Sequence, residues 1–180
     1  MAAGLPFGMK LPDGVQYQPL FAKQVFYNSN KCLTSIIPYL GLGAISHVGM
    51  ELNCMVWADA LLQITYDYMD AFDDHHGPPP SYFINRPEFH YIKSCMAIEQ
   101  GKPNQDAWAF LLEEAIQEEN KGPFRKYFNN TSPIPCHFAN NDTENKQWVE
   151  FLIFTQHLQY WKTGKLVFVA DYQGMRNVFY

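Results

Sequence analysis

The stretch Leu166-Val-Phe-Val-Ala-Asp171-Tyr-Gln173-Gly174 constrains the chain more than any other. Leu166 to Ala170 has no polar alternation, so it predicts a strand covered on both faces. The run stops abruptly in a carboxylate, an amide and a glycine. Polar groups at the end of such a strand sit on a rigid element at the rim of a core, where sites for metals or charged ligands are built. Asp171 and Gln173 are two apart, so on a strand their side chains point the same way. A carboxylate beside an amide oxygen suits Mg²⁺, a hard cation that keeps waters and shares phosphate oxygens.

The rest of the chain supplies a mixed set of elements. Met1 to Gln18 is rich in Gly and Pro and is expected to be irregular. Leu20 to Tyr27 is aromatic and β-rich, a strand that carries one lysine, Lys23. Residues 37–50 hold Pro38, Gly41, Gly43 and Gly49 and are expected to form a loop. Glu51 to Phe72 is the clearest helix, with Trp57, Leu61, Ile64 and Tyr68 on one apolar face. Asp73-Asp-His-His-Gly-Pro-Pro-Pro80 is expected to end it and serve as a linker. Phe89–Glu99 and Ala107–Glu113 predict two strands joined by a hairpin-like turn at Gln100–Asn104. Gln117 to Asn145 is polar and broken by prolines. A second helix is expected from Asp142 or Thr143, either of which can cap it, and Gly164 closes it. This order predicts an α+β fold with an antiparallel sheet in its first half.

Composition narrows the function classes. With 180 residues the chain suits one domain or one small two-lobed domain. The net charge of −5 gives no basic field to attract nucleic acid or an anionic membrane. No stretch is long enough to span a bilayer, and Met1–Gln16 lacks the apolar core of a signal peptide. Cys32, Cys54, Cys95 and Cys136 are widely spaced with no CxxC pair, so reduced thiols are the expectation. That fits a cytoplasmic protein, with the nucleus as the other reducing compartment.

Several residues are candidates for chemistry, each with a plainer alternative. Lys23 is either a solvent-facing edge lysine or a strand lysine that pairs with nucleotide phosphates. In the second case a helix carboxylate, Glu51, is available to hold it, although Glu51 also fits a helix N-terminus on dipole grounds alone. Glu113 and Glu114 are either an exposed strand end or part of a linker that holds an adenine and ribose. His157 stands alone in an aromatic helix, where a packed histidine is commoner than a ligand. Asp73, Asp74, His75 and His76 look metal-like but lie beside three prolines, as a solvated loop does.

Taken together, four blocks in order resemble the atypical alpha-kinase family, which includes the myosin heavy chain kinases and the kinases fused to melastatin-type channels. Phe21-Ala-Lys-Gln-Val-Phe26 resembles the strand with the nucleotide-binding lysine. Leu112-Glu-Glu-Ala-Ile116 resembles the hinge, with Glu113 at its acidic position. Phe124-Arg-Lys-Tyr-Phe-Asn-Asn130 resembles the Lys-Tyr-x-Asn-Asn segment. Gln156-His157 through Asp171-Tyr-Gln173-Gly174 resembles the helix histidine, turn, strand and Asp-x-Gln-Gly.

The resemblance implies a two-lobed, protein-kinase-like fold over residues 19–180, with an antiparallel sheet and long helix in the N-lobe and a partial C-lobe. It implies a serine/threonine protein kinase that uses ATP and Mg²⁺. Lys23 would pair with phosphates, Glu113 would help seat the nucleoside, and Asp171 with Gln173 would hold the metal. His157 would match the family's zinc-binding histidine. The sequence shows neither the family's later Thr-Asp-Pro stretch nor the remaining zinc ligands, so no stable structural zinc is expected, and the domain is expected to be incomplete. The other classes left open are a nucleotide-binding or protein-interaction module without turnover, and a metal-dependent hydrolase built on Asp73 to His76. The protein substrate has no recognisable signature.

Overall fold

The elements run β1 (Leu20–Gln24), β2 (Phe26–Asn28), β3 (Ile36–Pro38), α1 (Gly41–His76), β4 (His90–Tyr91), β5 (Ser94–Ile98), β6 (Ala109–Glu114), β7 (Phe124–Lys126), β8 (Phe128–Asn129), β9 (Ser132–Pro135), α2 (Thr143–Lys162), β10 (Gln173–Met175) and β11 (Val178–Phe179). This computed structural model describes residues 19–28, 36–76, 87–101, 105–116, 123–136, 142–175 and 178–179, without the side chains at 28, 73–76 and 133. Met1–Gln18, residues 77–80 of the expected linker and residues 102–104 of the expected turn lie outside the described residues. The fold is α+β, and the chain gathers into two compact units. Met1–Met55 with Ile92–Ile116 form the first, and Val56–Tyr91 with Gln117–Tyr180 form the second.

The first unit is built on an antiparallel sheet of order β1-β6-β5. Alternation along β6 buries Ala109, Leu111 and Glu113 on one face. Ala44 and Val48, one helical turn apart on α1, bury against Ala109 and Leu111. That contact explains why the helix starts at Gly41 and not at Glu51. The expected loop at 37–50 is instead β3 followed by three turns of helix, because burial of Ala44 and Val48 outweighs the weak propensity of Gly43 and Gly49. Gly41 has φ +55°, a left-handed conformation suited to glycine, and its N–H donates to Ala107 O at 2.8 Å.

Helix α1 also runs past Phe72 to His76, so Asp73–His76 are helical and not a loop. Within the expected span Glu51–Phe72 its buried positions are Leu61, Leu62, Thr65 and Met69, whereas Trp57 is 64% exposed and lies off that face. The predicted strand Leu20–Tyr27 is interrupted at Val25, where β2 departs to pair with β3. The predicted strand Phe89–Glu99 breaks at Ile92–Lys93, because β4 and β5 belong to different sheets and different units.

The second unit holds a four-stranded sheet of order β4-β11-β10-β7, with β4 parallel to β11 and the rest antiparallel. The polar, proline-broken stretch after Gln117 therefore carries three short strands, β7 to β9. Its core is aromatic. Phe179 is fully buried, with ring centroids 4.6 Å from Phe89, 5.3 Å from Tyr172, 5.8 Å from Tyr91 and 6.1 Å from Tyr127. Phe151 and Leu152 of α2 and Leu62 and Met69 of α1 complete it.

Asp142 caps α2 as expected. Its carboxylate accepts from the Asn145 side chain at 2.6 Å and from Asn145 N at 3.3 Å, with Arg125 at 3.3 Å. The Asn145 side-chain bond leads the effects that hold the Asp142 carboxyl below the usual range. At the other end Gly164 N donates to Trp161 O and Lys165 N to Tyr160 O, a Schellman closure with Gly164 at φ +66°. Among the described residues no helix is long and apolar enough to cross a membrane.

The expected buried strand Leu166–Ala170 is not one. The segment has no strand pairing, Leu166 is 87% exposed, and Val167 and Phe168 are exposed too. Regular pairing starts only at Gln173, so Asp171 and Gln173 lie at the entry to β10 and not at the end of a strand. The Schellman turn directs the chain back along α2, and side chains of α2 take its backbone hydrogen bonds in place of a neighbouring strand. An apolar run alone cannot distinguish these outcomes.

Burial pushes the phenol of Tyr127 up to about 12 and raises Tyr91 and Tyr172 as well. A raised folded value favours the neutral phenol, so this stability is intact below the unfolded value near 10.0 and is lost as pH rises through about 12. We expect cooperative alkaline unfolding in that window. Tyrosinate absorbance of the buried rings should rise together with loss of circular dichroism. Ionisation of all tyrosines in one step before any loss of structure would contradict the buried placement.

Candidate functional site

The first unit places Lys23 and Glu113 together. Strand β1 pairs with β6 so that Phe21 opposes Glu113 and Lys23 opposes Leu111. Lys23 and Glu113 are thus diagonal neighbours on one face. The Lys23 ammonium forms an ion pair with Glu113 Oε2. The carboxylate side chain is 4% exposed and the lysine 56%, so a buried acid presents a half-exposed base. Glu113 is therefore not an exposed strand end. Glu51 is exposed and lies well inside α1, so the dipole argument for it fails, and Glu113 supplies the carboxylate that pairs with Lys23. The expected hinge, Leu112–Ile116, ends where the chain passes from the first unit to the second, and Glu113 itself is within β6.

The second unit gathers Asp171, Gln173 and Lys126. Gln173 opposes Lys126 in the β10–β7 register, and Tyr172 O accepts from Tyr127 N at 2.8 Å and from Phe128 N at 3.3 Å. These bonds pin the backbone between the two candidate ligands. The Lys126 ammonium straddles the Asp171 carboxylate, 3.2 Å from Oδ1 and 3.3 Å from Oδ2. Both side chains are about one-third exposed, so this is a partly screened pair. Lys126 stands in a motif legible in the sequence, but its contact with Asp171 depends on a pairing across the sheet that the sequence does not display.

Gly174 has a packing reason. A Cβ there would collide with Val178 O, with Val178 C at 2.9 Å and Phe179 Cα at 3.0 Å. Only glycine lets β11 approach closely enough to seat Phe179 in the core. The last residue of Asp-x-Gln-Gly thus serves the fold.

His157 is exposed on α2. Among the described residues no three His, Cys, Asp or Glu side chains gather to hold a metal. Asp73 to His76 occupy the last four positions of α1. Sequence reasoning passed over Gln159, which is fully buried in α2 and bonded to the Asp171 segment. The signal available was its spacing of three from Gln156, which places two amides on one helical face.

The Lys23–Glu113 geometry makes a testable statement about stability. Lys23→Met leaves a buried carboxylate without its base and should cost about 1–3 kcal/mol in urea unfolding. Adding Glu113→Gln should recover much of that loss, giving a clear coupling in the double-mutant cycle. Additive effects would show that the pair is not coupled.

Comparison with known proteins adds one positive finding. No curated protein and no solved structure matches the chain. The alpha-kinase family model matches residues 58–180, a span that includes Glu113, Lys126, His157, Asp171, Gln173 and Gly174 and leaves Lys23 outside. That span is more than half of the chain, and its aspartate, glutamine and glycine stand at the entry to β10 as described above. The chain belongs to the alpha-kinase family.

Proposed function

We propose that this chain is an alpha-type serine/threonine kinase domain that transfers the γ-phosphoryl group of ATP to a protein hydroxyl with Mg²⁺. The observation that carries this is the buried Glu113 carboxylate in contact with the half-exposed Lys23 ammonium. A lysine anchored in this way is held extended with its charge directed, as phosphate binding requires. Glu113 then acts by holding Lys23, and the backbone around Leu112–Ile116 seats the nucleoside.

Asp171 and Gln173 offer hard oxygen donors on a backbone pinned by Tyr127 and Phe128, and this donor chemistry fits Mg²⁺. Bound there, the ion would offset phosphate charge. Lys126 contributes a second positive charge on the same carboxylate. Phosphoryl transfer depends mainly on such positioning and charge compensation, so loss of one acid can cost orders of magnitude in rate. The wide spacing of the cysteines, with no CxxC pair, accords with work in the cytoplasm.

The Lys126–Asp171 contact also favours a second reading, a nucleotide-binding module without turnover, since a metal at Asp171 must share the carboxylate with an ammonium already in place. Calorimetry with Mg-ATP, combined with a phosphotransfer assay on a generic protein substrate, separates the two. The kinase proposal predicts binding and transfer, both lost in Lys23→Ala and in Asp171→Ala. Binding without transfer would select the module, and no binding by the folded wild-type chain would remove both.

A further inference from the structure

The segment from Leu166 to Tyr172 leaves α2 and reaches Asp171 with no strand beside it among the described residues. Its backbone polar groups still need partners. Two glutamines of α2, three residues apart and so on one face, take the two sides of a single peptide position. Gln156 Nε2 donates to Val169 O at 2.9 Å, and Val169 N donates to Gln159 Oε1 at 2.9 Å. The pair of amides makes the two bonds that a neighbouring strand would make. Gln159 extends further, with Nε2 donating to the Tyr172 hydroxyl at 3.4 Å. Gln159, Tyr172 and Leu158 are buried, and Gln156 is half-buried.

These contacts bracket Asp171. Val169 lies two residues before it and Tyr172 one residue after it, and both are tied to Gln159. On the far side Tyr172 O is held by Tyr127 N and Phe128 N. The exposed apolar side chains of Leu166, Val167 and Phe168 supply little burial to fix this path, so fixed hydrogen bonds must do so.

We infer that Gln156 and Gln159 are positioning residues for the metal carboxylate Asp171, an inference that rests on the proposal that Asp171 and Gln173 hold Mg²⁺. They touch neither nucleotide nor metal and act through the backbone of Val169 and the hydroxyl of Tyr172. A role confined to satisfying backbone groups would lower stability and leave metal affinity unchanged. A positioning role lowers metal affinity beyond any loss of stability, by about 10–100-fold for residues that orient metal ligands.

The test uses the full 180-residue chain. Methionine at either position keeps the length of the side chain and removes its hydrogen bonds. Wild type, Gln159→Met, Gln156→Met and Asp171→Ala are titrated with Mg²⁺ at fixed ATP, and the thermal midpoint is followed. The midpoint without ligand reports stability, and the Mg²⁺ concentration needed for the ligand-induced rise reports metal affinity. The expected result is that Asp171→Ala loses the Mg²⁺-dependent rise, while both methionine variants need about 10–100-fold more Mg²⁺. Loss in Asp171→Ala with a wild-type Mg²⁺ requirement in the methionine variants would overturn the inference and leave the metal assignment standing. A normal response in Asp171→Ala would remove the metal assignment, and the inference with it. Should Gln159→Met not fold, the half-buried Gln156→Met decides the same question.

Discussion

The second unit depends on how closely β11 approaches β10 at Gly174. No other residue fits, because a Cβ would collide with the Val178 carbonyl. That approach seats Phe179 among Phe89, Tyr91, Tyr127 and Tyr172. Burying a phenylalanine stabilises by about 1.5–3 kcal/mol, and a wedge at the strand crossing would forfeit part of it. Tyr172, the residue between the two candidate metal ligands, is itself part of this core. Its side chain lies in the core, whereas those of Asp171 and Gln173 on either side of it are only partly buried. The core thereby anchors the backbone between the two candidate ligands.

The candidate residues of each unit include a lysine–carboxylate pair, and the two differ in kind. In the first, the acid is buried and the lysine half-exposed, so the acid anchors the base. In the second, both partners are partly exposed and the carboxylate remains reachable. A buried acid that fixes a lysine and an accessible acid that shares a lysine suit different tasks. On the proposed kinase reading, the former would direct positive charge outward, and the latter would keep a carboxylate ready for a cation.

Some of this was legible in the sequence and some was not. The second helix could be read at both ends, because Asp142 and Gly164 act through bonds within a few residues of themselves. The antiparallel pairing of β5 with β6 was legible as well, because the two strands lie close together in the chain. The start of the first helix was not, since Ala44 and Val48 are held by residues on β6, far along the chain. The Lys23–Glu113 pair was hidden because it depends on the register between β1 and β6. Leu166–Ala170 was misread because hydrophobicity marks what a segment can bury, and here the hydrogen bonds of Gln156 and Gln159 decide its path.

The central claim is that a metal–nucleotide complex is held at Asp171 and Gln173. The most direct test is paramagnetic broadening of backbone amide signals as Mn²⁺ is added with ATP to the isotope-labelled chain. The account predicts that Asp171, Tyr172, Gln173 and the facing Lys126 broaden first, and that Asp171→Ala removes the effect. Broadening centred on Asp73 to His76, or spread evenly over the chain, would contradict it.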